Sequence, residues 1–271
     1  SEVAPFIKTG GLADVAGSLP PALAAAGHEV KVILPLYEGI GENWRSQMTF
    51  LKYFNVTLAW RQVYCGIFEI VQNDVTYWFV DNEYYFKRWQ LYGHFDDCER
   101  YAYFSRAVLE ACGHLNFSPD VVHCNDWQTA LVPIYLLEER SRTPQLANTK
   151  SVYTIHNIEY QGRYGSQVLE DVIGLNPGYL SETMLGYYKD VNLMKGAIMA
   201  SNFVTTVSPS YAQELRIPFY AHGLHGVISQ QSGKVEGILN GIDAQLYDPA
   251  TLTGIESNFT PKTVTQGKAK C

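Results

Sequence analysis

Short apolar runs recur along the second half of the chain, each ending in polar residues. PDVVHCND leads into WQTALVPIYLLEER, KSVYTIHN into a polar loop and further helices, and FVTTVS into SPSYAQEL, with KVEGILNGID closing the series. Runs that are apolar at nearly every position suit strands buried on both faces of a parallel sheet. Strands alternating with helices require right-handed crossovers. The pattern predicts an α/β fold, a Rossmann-like open and mainly parallel sheet with helices on both faces. Ligands of such sheets bind beyond the carboxyl ends of the strands. The exit residues are therefore candidate site residues: Asp126 and Trp127 after VVHCN, His156 and Asn157 after SVYTI, Ser208 after FVTTV, and Asn240 after VEGIL.

The opening SEVAPFIKTGGLADV reads as the exit of a strand followed by a glycine-rich turn into a helix. Lys8 brings positive charge, Gly10 and Gly11 let the backbone approach a ligand, and the helix start presents free N–H groups. That combination suits an anion. It is neither a Walker loop nor a GxGxxG fingerprint. The helix is expected over Leu12 to Ala26, stopping at Gly27, with Pro20 and Pro21 kinking or dividing it. EVKVILPLY follows as a strand buried on both faces. Residues 48 to 88 change to successive β-rich runs, which predicts a β-hairpin insertion in the sheet. Asp97 to Gly113 has helical spacing and a glycine stop. With no internal repeat and no low-complexity linker, one domain is the expected count.

Composition narrows the functions. The net charge of −7 argues against nucleic acid as a partner. No apolar run is long enough to span a bilayer. The five cysteines lack CxxC spacing, which suits a reduced intracellular protein. His222 and His225 form an HxxH without a second ligand pair, so no metal is expected. Aromatic residues reach 13%, including 19 tyrosines. Such rings fill cores and also stack on sugars, and composition does not choose between them.

Each motif has a plainer reading beside the functional one. Lys8 can be solvated and Asp14 can complement the helix dipole. Asn125 or Asp126 can cap a helix with Trp127 in the core, or Asp126 can bind sugar hydroxyls beside an aromatic platform. His156 can be a hydrogen-bonded structural group, although Asn157, Glu159, Tyr160 and Gln161 after it suit a polyol. Ser210 and Gln213 fit a capping box. NGID reads first as a tight turn and second as a ligand contact through Asn240.

Taken together, SEVAPFIKTGGLADV, DVVHCNDWQTAL, YTIHNIEYQG, VSPSYAQE and GILNGID resemble bacterial glycogen synthases and plant starch synthases. The resemblance implies the N-terminal half of a GT-B fold, with residues 1–255 as the acceptor-side Rossmann-like domain and 256–271 starting the interdomain segment. It implies transfer of glucose from ADP-glucose to the non-reducing end of an α-1,4-glucan with retention, using no metal or cofactor. Lys8 would contact the donor diphosphate, helped by the Gly10 and Gly11 amides, while Glu2 and Asp14 line the cleft. Asp126 and Trp127 would lie near the glucosyl site, His156 beside the transferred sugar, and Asn240 in the interdomain cleft.

The HxHDW form common in bacterial members is HCNDWQ here, so Asn125 and Gln128 replace more usual residues. The family's second Rossmann domain, with its cations for the phosphates, would have to be supplied in cis. A covalent glycosidase mechanism would instead want two carboxylates about 5 Å apart. The rival classes are a stand-alone glucan-binding module and, more remotely, a nucleotide-sugar epimerase or dehydrogenase, against which the missing GxGxxG speaks. The sequence reads as a fragment of a cytoplasmic protein, or of a plastid one in a plant.

Overall fold

The computed structural model describes residues 1–244 and 246–270. They fall into two compact units, Ser1–Leu239 and Asn240–Cys271. The first opens with a tight loop in which Val3 and Ile7 exchange main-chain hydrogen bonds of 3.1 and 3.0 Å. Helix α1 (Gly11–Ala25) lies directly on that loop. Ala4 N–H donates to Ala13 O at 3.0 Å, and a Cβ on Gly17 would sit 2.3 Å from Ala4 O. Only glycine allows that approach. Pro20 and Pro21 lie inside α1 without dividing it, so of the two expected effects division does not occur. Each removes one ladder donor, but burial of Leu12, Ala13 and Pro20 holds the helix through packing. The stop at Gly27 has φ +94°, as a left-handed terminator should.

Strand β1 (Val30–Pro35), the short helix α2 (Glu42–Arg45), and strands β2 (Thr49–Leu58), β3 (Arg61–Gln72) and β4 (Val75–Asp81) follow. The first sheet has the order β1-β4-β3-β2, with β1 parallel to β4 and the other pairs antiparallel. This is the expected hairpin insertion. Its turns carry Ala59, Asn73 and Asp74 at positive φ, which suits tight connections between twisted strands. β1 is half-buried from Val30 to Ile33 and fully buried only at Leu34 and Pro35. It stands at the end of its ladder, so burial on both faces is incomplete.

Helices α3 (Glu83–Phe86) and α4 (Asp97–His114) come next. Gly113 falls inside the last turn of α4 instead of stopping it. The left-handed residue is Asn116, φ +53°, an asparagine doing what glycine was expected to do. The second sheet is built from β5 (Val121–Asn125), β6 (Lys150–Ile155), β10 (Phe203–Thr206) and β11 (Val235–Gly237), all parallel in the order β11-β10-β6-β5. Helix α5 (Leu131–Glu139) connects β5 to β6 and packs against α4.

Between β6 and β10 the expected further helices are mostly absent. Short strands β7 (Arg163–Gly165), β8 (Gly186–Tyr187) and β9 (Asp190–Asn192) form an antiparallel sheet there. Between them lie only a π turn at Leu169–Ile173 and a 3-10 turn at Pro177–Leu180. Gly174 at φ +73° and Pro177 interrupt any longer helix. Helix α6 (Leu193–Ala200) is then capped by Asn192, whose side chain accepts from Lys195 N–H at 2.9 Å.

Helices α7 (Pro209–Glu214) and α8 (His225–Gln230) complete the unit. Ser208, not Ser210, caps α7, accepting from Tyr211 N–H at 3.0 Å. Pro209 takes the first helical position, where a missing N–H costs nothing, and this moves the cap two residues upstream. No helix among the described residues is long and apolar enough to cross a membrane.

The second unit contains α9 (Val264–Lys268). Its turn begins at Asp243, the last residue of NGID: the Asp243 carboxylate accepts from Leu246 N–H at 2.9 Å, and its carbonyl from Tyr247 N–H at 3.0 Å. The expected turn is thus made by the motif's own carboxylate bonding its downstream backbone. Asn240 is exposed in this unit.

Candidate active site

The KTGG turn is organised by a carboxylate from its own chain. Glu2 is buried and accepts from Thr9 N–H, from Thr9 Oγ1 at 2.9 Å and from Gly10 N–H at 3.3 Å. Tyr92, which the sequence reading did not single out, donates to Glu2 Oε1 at 3.3 Å and to Ser1 Oγ at 3.2 Å. Burial pushes its phenol well above the ordinary range, so it remains a donor. One tyrosine among 19 carries no sequence signal of this kind.

Of the two glycine amides expected to meet an anion, that of Gly10 is thus already engaged, as is its neighbour on Thr9. The amides of Gly11 and Leu12, at the start of α1, have no carbonyl four residues back to bond. Gly10 has extended backbone with φ −152°. A Cβ on Gly10 or on Gly11 would meet nothing within 4 Å, and Gly11 is not at positive φ. Neither backbone conformation nor neighbouring atoms therefore require glycine at either place. Lys8 Nζ lies 2.7 Å from Asp14 Oδ1, and these side chains are 50% and 36% exposed. At that exposure the pair adds little to stability, and Lys8 remains able to exchange partners.

The second cluster is built by the exits of β5 and β6. Asp126 does not cap the turn that follows it. Its backbone sits at φ +54°, ψ −175°, a region other residues than glycine rarely enter. That twist carries the carboxylate across to β6, where Oδ1 accepts from His156 N–H at 2.8 Å and Asn157 N–H at 3.3 Å. Asp126 is 9% exposed, and burial pushes its carboxyl up to about 7 despite the two amide donors. His156 Nε2 lies 2.9 Å from Asn125 Oδ1. Burial, with a lesser contribution from His123, lowers the imidazole to about 4, so it is neutral near pH 7. Asn157 closes a turn through Glu159 N–H at 2.9 Å. Tyr211 of α7 accepts from Ile158 N–H at 3.2 Å and braces the same loop.

Trp127 is buried edge-on against Tyr101, with ring centroids 5.1 Å apart. Its remaining edge lines a pocket of about 300 Å³ with Glu159, Tyr160, Gln161, Arg163 and Tyr164. Gln161, buried beneath that pocket, donates to Ile158 O and His222 O at 3.1 Å each. Among the described residues no group of three His, Cys, Asp or Glu side chains converges as metal ligands would.

The two clusters are linked through packed rings. Tyr92, which donates to Glu2, packs on Tyr101 with ring centroids 6.0 Å apart, and Tyr101 packs on Trp127 at 5.1 Å. The KTGG turn and the Asp126–His156 pair therefore belong to one neighbourhood, to which Glu2, Lys8, Gly10, Gly11, Asp14, Asp126, His156 and Asn157 contribute.

Known proteins resemble this chain over most of its length. A family model described as the starch synthase catalytic domain matches residues 1–230. A glycogen synthase of Bacillus cereus (strain ATCC 10987 / NRS 248) is 46% identical over 259 residues, 96% of this chain and 54% of that protein. One from Clostridium novyi (strain NT) is 45% identical over 252 residues, 93% of this chain and 53% of that protein. The solved catalytic domain of starch synthase IV from Arabidopsis thaliana, bound to ADP and acarbose, superposes with a TM-score of 0.89 at 34% identity, covering 97% of this chain and 54% of that one. The chain spans about half the length of the curated relatives it matches. It belongs to the starch synthase catalytic domain family.

Proposed function

We propose that this chain forms the acceptor-side wall of a glycogen or starch synthase. The enzyme transfers glucose from ADP-glucose to the non-reducing end of an α-1,4-glucan and retains the α configuration. Residues 1–255 act as the acceptor-side domain, and 256–271 lead toward a second Rossmann domain that supplies further cations in cis. The observation carrying this reading is the glycine pair at the start of α1: both glycines face open space and neither is required by the fold, so close approach of a ligand accounts for them. The relative solved with ADP and acarbose supports a nucleotide and an oligosaccharide as ligand classes.

Transfer with retention builds positive charge at the anomeric carbon and negative charge on the departing diphosphate. Lys8 leaves Asp14 to meet the diphosphate, together with the Gly11 and Leu12 amides. Asp126 holds the His156–Asn157 turn, and the neutral His156 ring presents a nitrogen to the sugar. Trp127, Asn157 and Asn240 serve as further sugar or cleft contacts. The reaction needs no metal or cofactor beyond the donor, and a cytoplasmic setting fits the bacterial relatives.

The test is Gly11→Ala in the complete enzyme. The added methyl meets no protein atom, so thermal stability should hold or rise slightly. The KM for ADP-glucose should rise at least tenfold, while glucan binding stays unchanged. Unaltered donor kinetics would refute the anion reading. Glucan binding without any turnover in the complete protein would favour the stand-alone binding module.

A further inference from the structure

Asn125 ends β5 and is fixed from both sides of its own backbone. Its N–H donates to Thr129 Oγ1 at 2.6 Å, and its carbonyl accepts from the same hydroxyl at 2.8 Å. Across the sheet it is in register with Thr154, two residues before His156. Its amide oxygen faces His156 Nε2 at 2.9 Å. An amide oxygen only accepts, so the nitrogen facing it must carry the proton. His156 Nδ1 makes no hydrogen bond to the described residues. We propose that Asn125 is a positioning residue that fixes His156 as the Nε2–H tautomer, leaving Nδ1 as a hydrogen-bond acceptor for a hydroxyl of the bound sugar. The second half of this statement rests on the proposed function, and the first does not.

The surroundings of the ring favour the neutral form throughout. On β5, His123 is itself lowered by burial and bonded to Thr154 Oγ1 at 2.6 Å, and Thr154 continues to Thr205 Oγ1 at 2.6 Å. Asp126 engages the main chain of His156 and Asn157. Tyr211 bonds the loop backbone. None of these groups touches Nε2, so the identity of the protonated nitrogen depends on Asn125. A ring with the opposite tautomer would offer a donor at Nδ1, to which a sugar hydroxyl would turn its oxygen and not its hydrogen.

The experiment uses histidine labelled with ¹⁵N and ¹³C in the complete enzyme, read by NMR across pH, together with ADP-glucose turnover. The unsubstituted ring should be the Nε2–H tautomer and stay neutral down to about pH 5. Asn125→Ala should release a tautomer mixture and lower kcat about three- to tenfold, the range expected for one lost hydrogen bond. Asn125→Asp is nearly isosteric, which guards against misfolding. It should keep the tautomer but raise the protonation pH by at least one unit, carrying the acid limb of kcat with it. An Nδ1–H ring in the unsubstituted protein would overturn the proposal. So would variants whose tautomer and titration match it, even if turnover falls. A tautomer change with turnover intact would uphold Asn125 as the fixing group and remove His156 from the transfer site.

Discussion

Asp126→Asn should make the protein more stable at alkaline pH and leave it nearly unchanged in acid. The buried Asp126 carboxyl is pushed from its ordinary 3.8 up to about 7. Between those values the folded state holds a proton that the unfolded chain has released. An acid raised in this way contributes stability that is present below about pH 4 and is lost as pH rises to about 7. At 1.36 kcal/mol for each pH unit, the interval amounts to about 4 kcal/mol. Asparagine keeps an oxygen for the His156 and Asn157 amides and never ionises. Glu110, also raised to about 7 by burial, and His156, lowered to about 4 and working in the opposite direction, are present in both proteins and cancel in the difference. Urea unfolding followed by tryptophan fluorescence at pH 4, 6 and 8 measures that difference. It should grow from under about 1 to about 4 kcal/mol in favour of the variant, with kcat falling at least tenfold. A difference independent of pH would refute the argument, because only a titrating carboxyl gives it this shape.

Lys8→Ala in the complete enzyme should weaken the ADP-glucose interaction by about 1.5–3 kcal/mol, the worth of a charge-assisted hydrogen bond. Its melting temperature should barely change, since the resting pair with Asp14 is exposed. His156→Ala should lower kcat more than it alters glucan affinity, as expected for a contact made mainly in the transition state; a variant that melts early but turns over normally when folded would assign the ring to structure. The 271-residue chain alone should incorporate no glucose from ADP-glucose, because Lys8 is the one cation among its site motifs and a diphosphate leaving group needs more. Clear turnover by the chain on its own would show that the donor is held differently.

The periodicity of apolar runs made the parallel sheet legible, and the strand-exit rule pointed to Asp126, His156 and Asn157 before any geometry was known. The hairpin insertion was readable because β2 to β4 are long and rich in β-branched and aromatic residues. Helix punctuation was read less well. Gly113, Ser210 and the prolines of α1 all carry local propensities that tertiary packing or a neighbouring proline overrides. The segment from Arg163 to Asn192 was misread because strands of two or three residues leave no periodicity to detect. Glu2 and Tyr92 meet only because the loop before α4 folds back over the chain start. Buried Arg100 anchors that loop through Tyr85 O at 2.7 Å and Leu91 O at 3.0 Å. Such long-range pairings have no trace in local spacing.

On the proposed donor role of the KTGG turn, the Glu2 carboxylate among its amides also bears on how quickly a ligand would come and go. A glycine-rich loop that waits for its anion must condense around it, and each encounter then includes a search through open conformers. Here an internal anion has already drawn Thr9 and Gly10 into place, so the loop loses its conformational freedom during folding and not on binding. On the proposed role of this turn, an incoming diphosphate would meet an edge already set, beside the Lys8–Asp14 contact. Under that proposal, successive donors would enter and leave without the loop being rebuilt each time.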